Sequence, residues 1–259
     1  MMKITQVRNA TQVITYAGKK FLVDPMLANK ESSPGFAGTV NSHIRIPTVA
    51  LPFTIEELVD VDAVLLTHTH PDHWDDVAAE HLPKDLPIFV QHESDKSLVQ
   101  RQGFTQVSVM TETTDFAGIK FTTTPCQHGS DALYENKEMA EFLGEVMGII
   151  LQHPAEQKLY IIGDSIWTLA VEQTMKREQP DVVIVNAGWA HVLGFGPIIM
   201  GKEDVLKTHI TLPNAKIVAT HMEAVNHALL TRAELIEYVR INQISDDVYV
   251  PADGETVEF

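Results

Sequence analysis

Between Thr67 and Asp76 the chain reads THTHPDHWDD, with three histidines and an aspartate in the six positions from His68 to His73. The whole chain has 12 histidines in 259 residues, so this local density asks for a chemical reason. Neutral imidazoles and carboxylates are ligands for zinc, and also for manganese or iron. Four such groups can divide between two ions, two to each. Zinc takes about four ligands, so two ions need further donors from elsewhere. A polar helix cap with incidental histidines explains one of them easily and three poorly.

The cluster follows the apolar run AVLL, which reads as a buried strand. If the chain stays extended through His70, the period of two puts His68 and His70 on one side. Pro71 stops the strand and suits the first turn of a helix. Asp72 and His73 are then expected in that turn, facing back to the histidine pair, with Asp75 and Asp76 favouring the helix N-terminus. Three other apolar runs end in similar residues: GIKFTTTPCQHG at His128, KLYIIGDS at Asp164 and KIVATHM at His221. A lone His or Asp at a strand end is more often a cap. Its recurrence at three strand ends makes these the candidate missing donors.

This set resembles the metallo-β-lactamase superfamily of hydrolases. The signature His-x-His-x-Asp-His is matched by His68, His70, Asp72 and His73; the later histidine, aspartate and final histidine are matched by His128, Asp164 and His221. The opening RNATQVITYAGKKFLVDPML also looks like the first hairpin of that superfamily, leading to an Asp-Pro turn. The resemblance implies an α/β fold, a four-layer αββα sandwich of two mixed β-sheets flanked by helices, in one domain over residues 1–259. It implies two divalent metal ions, zinc in the first place and manganese or iron after it. One would be held by His68, His70 and His128, the other by Asp72, His73 and His221, with Asp164 bridging. The nucleophile would be a water or hydroxide between the ions, its pKa brought from about 15.7 to about 7. Asp72 would orient it and shuttle a proton. Within the superfamily the chain looks most like the bacterial hydrolases that include the ascorbate-6-phosphate lactonase type. The implied reaction is hydrolysis of a small-molecule ester, lactone, amide or phosphoester.

The elements that must position these residues are legible in outline. KITQVR, QVITYA and KFLVD alternate apolar with polar and read as a β-meander. Residues 25–53 carry four prolines and no clean period; a segment of that length is a lid, a binding loop or a surface excursion. Strands are expected in PIFVQ, QVSVM, EVMGIILQ and DVVIVNAG, as well as in the runs named above. Helices are expected over PDHWDDVAAEHL and near 93–102, 167–178, 202–209 and 231–242; the last has Thr231 and Glu234 at capping-box spacing. VYVPADGETVEF reads as a closing hairpin around Asp253-Gly254.

For substrate contacts, NAGWAHVLGFGP offers Asn186 and His191, HMEAVNHALL offers His227, and the proline-rich segment offers His43. Cys126, the one cysteine, reads as a small buried hydrophobe, and Trp74 and Trp167 as packing residues. A single cysteine also excludes an intrachain disulfide.

The formal charge is −16, from 19 basic and 35 acidic residues. Such a field repels polyanions, so nucleic acid is not an expected partner; this weighs against a phosphodiesterase or nuclease of the same fold. The same ligand types would also suit a di-iron redox protein or a metal-binding regulatory protein without turnover. No signal peptide and no apolar run near the roughly 20 residues of a membrane span is present. The chain reads as soluble and cytoplasmic, acting on a small molecule without a membrane. A homo-oligomer is left open.

Overall fold

A computed structural model describes residues 1–259. Strands β1 (Lys3–Arg8), β2 (Thr11–Tyr16) and β3 (Lys19–Val23) form the expected antiparallel meander. β4 (Ala63–Leu65), β5 (Ile88–Val90) and β6 (Val107–Val109) extend it in parallel. In the second sheet, β7 (Thr114–Phe116), β8 (Ile119–Pro125) and β9 (Met147–Gln152) are antiparallel. β10 (Leu159–Ile161) pairs antiparallel with β9 and parallel with β11 (Val182–Asn186). β12 (His191–Val192) and β13 (Gly196–Pro197) make a small hairpin outside both sheets. β14 (Lys216–Thr220) and β15 (Val248–Tyr249) complete the second sheet in parallel, and β16 (Thr256–Glu258) returns to pair with β1.

The closing hairpin is therefore not formed. Its two halves belong to different sheets, β15 beside β14 and β16 beside β1. Pro251 and Asp253-Gly254 make the crossing between the sheets; the Gly254 amide donates to the Gln6 carbonyl. Turn chemistry at Asp-Gly was present, but a bend between sheets needs the same residues as a hairpin.

The strands buried on both faces read as continuous apolar runs. Along β11, Val182 and Ile184 enter the core between the sheets, while Val183 and Val185 pack outward under helices. Phe21, Val23, Ala63 and Leu65 line the same inner core from the first sheet. Helices α1 (Ile55–Val59), α2 (Asp76–His81) and α3 (Glu93–Arg101) cover the outer face of the first sheet through Leu58, Ala78, Ala79 and Val99. Two short helices, α4 (Asp131–Glu135) and α5 (Lys137–Leu143), sit instead against the β12–β13 hairpin, through Leu133, Leu143, Val192 and Ile198. α6 (Leu169–Glu178), α7 (Lys202–Thr211) and α8 (Arg232–Ile241) cover the second sheet, α8 entering through the expected Thr231/Glu234 capping box. The layers are thus helix, mixed sheet, mixed sheet, helix. Trp74 and Trp167 pack in these outer clusters as expected. No helix is long and apolar enough to cross a membrane.

Residues 25–53 are irregular but tied down. Buried Arg8 donates to the carbonyls of Met26 (2.6 Å), Ala28 (2.9 Å) and Val49 (3.1 Å), closing both ends of the segment. Its burial lowers the guanidinium pKa to about 10, although Asp75 and Asp253 pull the other way. Asn226 holds the middle: it accepts from the Phe36 amide at 2.9 Å and donates to Thr39 Oγ1 and the Val40 carbonyl, both at 2.8 Å. These bonds fix Phe36 and Thr39 in place as part of a wall.

Candidate metal centre

The seven candidate donors come together at one edge of the sandwich. His68, His128 and Asp164 each lie three residues past the end of β4, β8 and β10, and His221 directly follows β14. The helical first turn expected around Asp72 and His73 is absent, because α2 starts only at Asp76. Asp75 delays it: its carboxylate accepts from the Ala78 amide (2.8 Å) as N-cap and from the Ala28 amide (2.7 Å). The four residues before it form a turn, with the His70 carbonyl accepting from the amides of His73 and Trp74, both at 2.8 Å. That turn, not a helix, swings Asp72 and His73 back over the histidine pair.

His68, His70 and His128 bring one ring nitrogen each into a first group, and Asp72, His73 and His221 converge in a second. His68, His73 and Asp164 link the two. Within them His68 Nε2 lies 3.0 Å from His70 Nδ1, and His73 Nε2 3.1 Å from His221 Nε2. Asp164 Oδ2 stands between the groups, 3.2 Å from His73 Nε2, 3.5 Å from His221 Nε2, 3.6 Å from His128 Nε2 and 4.0 Å from His68 Nε2.

Outer hydrogen bonds single out the bare nitrogen in four of the five rings. His73 Nδ1 donates to Asp24 Oδ2 (2.9 Å), His128 Nδ1 to the Ile198 carbonyl (3.0 Å) and His70 Nε2 to the Phe142 carbonyl (3.1 Å). Thr67 spends its hydroxyl proton on Asp24 Oδ2 (2.6 Å), so it accepts from His68 Nδ1 at 3.0 Å. Where these imidazoles are neutral, the inward nitrogen is then a lone pair. Lone pairs 3 Å apart with no proton between them repel, and a shared cation removes the repulsion. A ring N–H fixed on an acceptor with the other nitrogen free is how metal-binding histidines are held. The donor set fits metal.

Charge says the same. Burial pushes the pKa of His68 far down and that of His128 to about 4, favouring neutral ligands in the first group. Burial also acts against charge on His73 and His221, but Asp164 and its neighbouring carboxylates outweigh it and raise both, His221 to about 9. Burial alone would raise Asp72 and Asp164; the imidazoles of His73 and His221 hold them well below the usual carboxylate range instead. Asp24, Asp72 and Asp164 thus put three buried carboxylates around a centre that calls for positive charge.

The beta-lactamase superfamily domain matches residues 19–222. The UPF0173 protein YddR of Bacillus subtilis is 43% identical to this chain over 259 residues, 100% of both proteins. The chain belongs to the UPF0173 family of that superfamily. Among solved structures, the isothiocyanate hydrolase from Delia radicum gut bacteria superposes with a TM-score of 0.97 at 49% identity, covering 100% of this chain and 99% of that one. A possible metal-dependent hydrolase from Veillonella parvula does so with a TM-score of 0.97 at 43% identity, covering 99% of each. Metal-dependent hydrolysis is the activity class of the UPF0173 family.

Above the donors of this UPF0173 chain lies a cavity of about 150 Å³. His70, Pro71, Asp72, His128 and Asp164 form its floor; Phe36, Thr39, Phe142, Leu143, Val192, Ile198 and His227 form its walls. A larger open crevice of about 660 Å³ near Gln91, Cys126 and Tyr134 touches none of the seven donors. Of the four residues expected to meet substrate, only His227 lines the cavity over the donors. Asn186 is buried under the floor and donates from Nδ2 to Asp164 Oδ1 at 2.6 Å, so it positions that carboxylate. His191 stacks edge-on against Trp189, ring centroids 4.4 Å apart, outside the cavity wall. His43 is exposed and does not line the cavity, which its segment meets through Phe36 and Thr39. Cys126 turns its thiol to the Ile162 carbonyl (2.9 Å) and is in no donor group; burial pushes its pKa up.

Sequence reasoning missed the partners that hold the donors. Asn9 donates from Nδ2 to the Asp72 carbonyl (3.1 Å) and to Asp72 Oδ2 (3.3 Å) from the β1–β2 turn. Asp24 accepts from His73 and from both the amide (2.8 Å) and hydroxyl of Thr67. The available signal was its place at the end of β3, in the Asp-Pro turn. Asp24→Ala is expected to weaken metal affinity and turnover by about 10- to 100-fold, with Thr67 left unpaired at a cost of about 1–3 kcal/mol. Titration of zinc into the metal-free variant reads the first and thermal unfolding the second; unaltered affinity would remove Asp24 from the centre.

Proposed function

We propose that this chain hydrolyses a small, uncharged, apolar electrophile, and that the substrate is an isothiocyanate. The observation that carries the reading is the cavity. Its walls carry Phe36, Phe142, Leu143, Val192 and Ile198 beside Thr39 and His227, and no Lys or Arg lines it. A phosphate monoester would bring a dianion that only the ions at the floor, and no side-chain cation, could meet. An isothiocyanate brings a linear N=C=S group for the floor and an apolar substituent for the walls. The isothiocyanate hydrolase that is 49% identical over the full chain supports the same substrate class.

In this reading His68, His70 and His128 would hold one divalent ion and Asp72, His73 and His221 a second, zinc in the first place, with Asp164 within reach of both groups. Bound there, the ions supply Lewis acidity and make water a nucleophile near neutral pH. The chain does the rest. Asn186 and the histidines fix Asp164, and Asn9 fixes Asp72 through its carbonyl and Oδ2, leaving Oδ1 to orient the attacking water and take its proton. The apolar walls exclude bulk water and orient the substituent. The overall change is R–N=C=S plus H2O giving R–NH2 plus O=C=S.

The test is a panel. Protein reconstituted with zinc or manganese is offered allyl, benzyl and phenethyl isothiocyanate, a lactone, a carboxylic ester and a phosphodiester, with amine and carbonyl sulfide measured. Stoichiometric amine from the isothiocyanates alone is expected; turnover of lactone or phosphodiester without it would sink the reading. Phe142→Ala should shift kcat/KM toward the bulkier isothiocyanates by about 10-fold or more, the scale of apolar pocket contacts.

A further inference from the structure

We propose that His227 is a catalytic hydrogen-bond donor, its Nε2–H meeting the substrate nitrogen as charge builds on that atom. The inference rests on the isothiocyanate reading above. Among the cavity walls His227 is the one imidazole outside every donor group. It is 6% exposed, and its Nδ1 is enclosed with no partner. A proton on Nδ1 would be a buried donor without an acceptor, a rare arrangement. The proton therefore sits on Nε2, the ring nitrogen that is not enclosed, in a residue that lines the cavity.

The ring has little freedom to do otherwise. Phe36 packs edge-on against it with centroids 5.0 Å apart, and the His227 carbonyl accepts from the His191 amide at 3.1 Å. Ala190 and Ala228 bridge the same two segments. Burial lowers the imidazole pKa to about 4, so the ring is a neutral donor near neutral pH and not a cation. A single fixed ring N–H in a mostly apolar wall is a preorganised dipole. Such donors matter where charge develops in a water-poor site.

The chemistry has one atom that needs it. Water adds to the central carbon, forming C–O, and the C=N π pair moves onto nitrogen. His227 Nε2–H donates a hydrogen bond to that nitrogen, and the proton released by water passes to it by way of Asp72. The product of this step is the thiocarbamic acid R–NH–C(=S)–OH. Its O–H proton then moves to nitrogen as the C–N bond breaks, releasing R–NH2 and O=C=S. No oxidant or reductant enters.

The experiment uses full-length zinc-reconstituted protein, ring-substituted aryl isothiocyanates whose amines differ in basicity, and the variants His227→Phe and His227→Gln. In His227→Phe, kcat should fall about 100- to 1,000-fold for substrates releasing the most basic amines. The fall should shrink for electron-poor amines, so the dependence on amine basicity steepens, while zinc content matches the wild type. His227→Gln, which keeps an N–H, should recover part of kcat. An unchanged slope with uniformly lower rates would make His227 a packing residue, and lost zinc would make it a ligand; either overturns the inference. A wild type that consumes no isothiocyanate overturns the substrate reading itself, and this inference with it.

Discussion

Asp164→Ala is expected to strip the centre of metal and to cut turnover by more than the roughly 10- to 100-fold that losing an outer partner costs. Its Oδ2 lies within 4.0 Å of ring nitrogens from both donor groups, His68 and His128 of the first and His73 and His221 of the second. Without it the two groups are separate half-sites, each short of a negative charge. Asn186 Nδ2, 2.6 Å from Asp164 Oδ1, also loses its acceptor in a buried position. Asp164→Asn separates charge from shape, since it keeps an acceptor for Asn186 but carries no charge; metal should still be lost. Metal binding stabilises a fold by mass action. Added zinc should therefore raise the unfolding temperature of the wild type and leave that of either variant where it was. Wild-type metal content and turnover in Asp164→Ala would refute the centre as described.

The donors were legible because each is announced locally. His68, His70, Asp72 and His73 share one short stretch, and His128, Asp164 and His221 each end an apolar run. Buried strands pointing the same way deliver their ends to one edge, so a strand-end residue is a site candidate before any contact is known. Asn9 and Thr67 carry no comparable mark, and Asp24 has only its place at the end of β3. Their meaning lies in which atom they face across the β1–β2 and β3–β4 connections, and a hydrogen bond leaves no spacing in the sequence. The same holds for the Phe142 carbonyl, which fixes His70 with a backbone atom that any residue could supply.

The pocket was the least legible part. His43 and His191 drew notice as histidines in loops, yet the walls are Phe36, Phe142, Leu143, Val192 and Ile198, ordinary apolar residues from three separate segments. Only packing brings them together: α4 and α5 against the β12–β13 hairpin, and the 25–53 segment pinned by Asn226. The short helices that build this cap lack the length for a clear period. The split of β15 and β16 between the sheets escaped for a related reason, since pairing partners far apart in sequence decide it.

A residue with no functional chemistry carries the second large effect. Gly188→Ala is expected to reduce metal affinity and turnover by about 100-fold or more, the scale of an ångström-sized misplacement at a reacting centre. Gly188 follows β11, and a Cβ there would stand 1.9 Å from the His221 carbonyl oxygen and 3.1 Å from its carbon. Backbone cannot rotate away as a side chain can. Bringing that contact to 3.0 Å requires a shift of at least 3.0 − 1.9 = 1.1 Å. His221 has little room to give: it sits at φ +61 in the left-handed region, and its amide is held by the Asn9 carbonyl at 3.0 Å. Moving it carries Nε2 away from Asp72 and Asp164 together. Overpacking adds about 1–3 kcal/mol of destabilisation, so the unfolding temperature should fall as well. The further variant Ala228→Gly, made on top of Gly188→Ala, relieves only a 3.3 Å side-chain contact and should not restore zinc binding. Recovery in that double variant would place the clash at Ala228 and free His221 of the constraint; without recovery, the ligand's position depends on the absence of a methyl group one strand away.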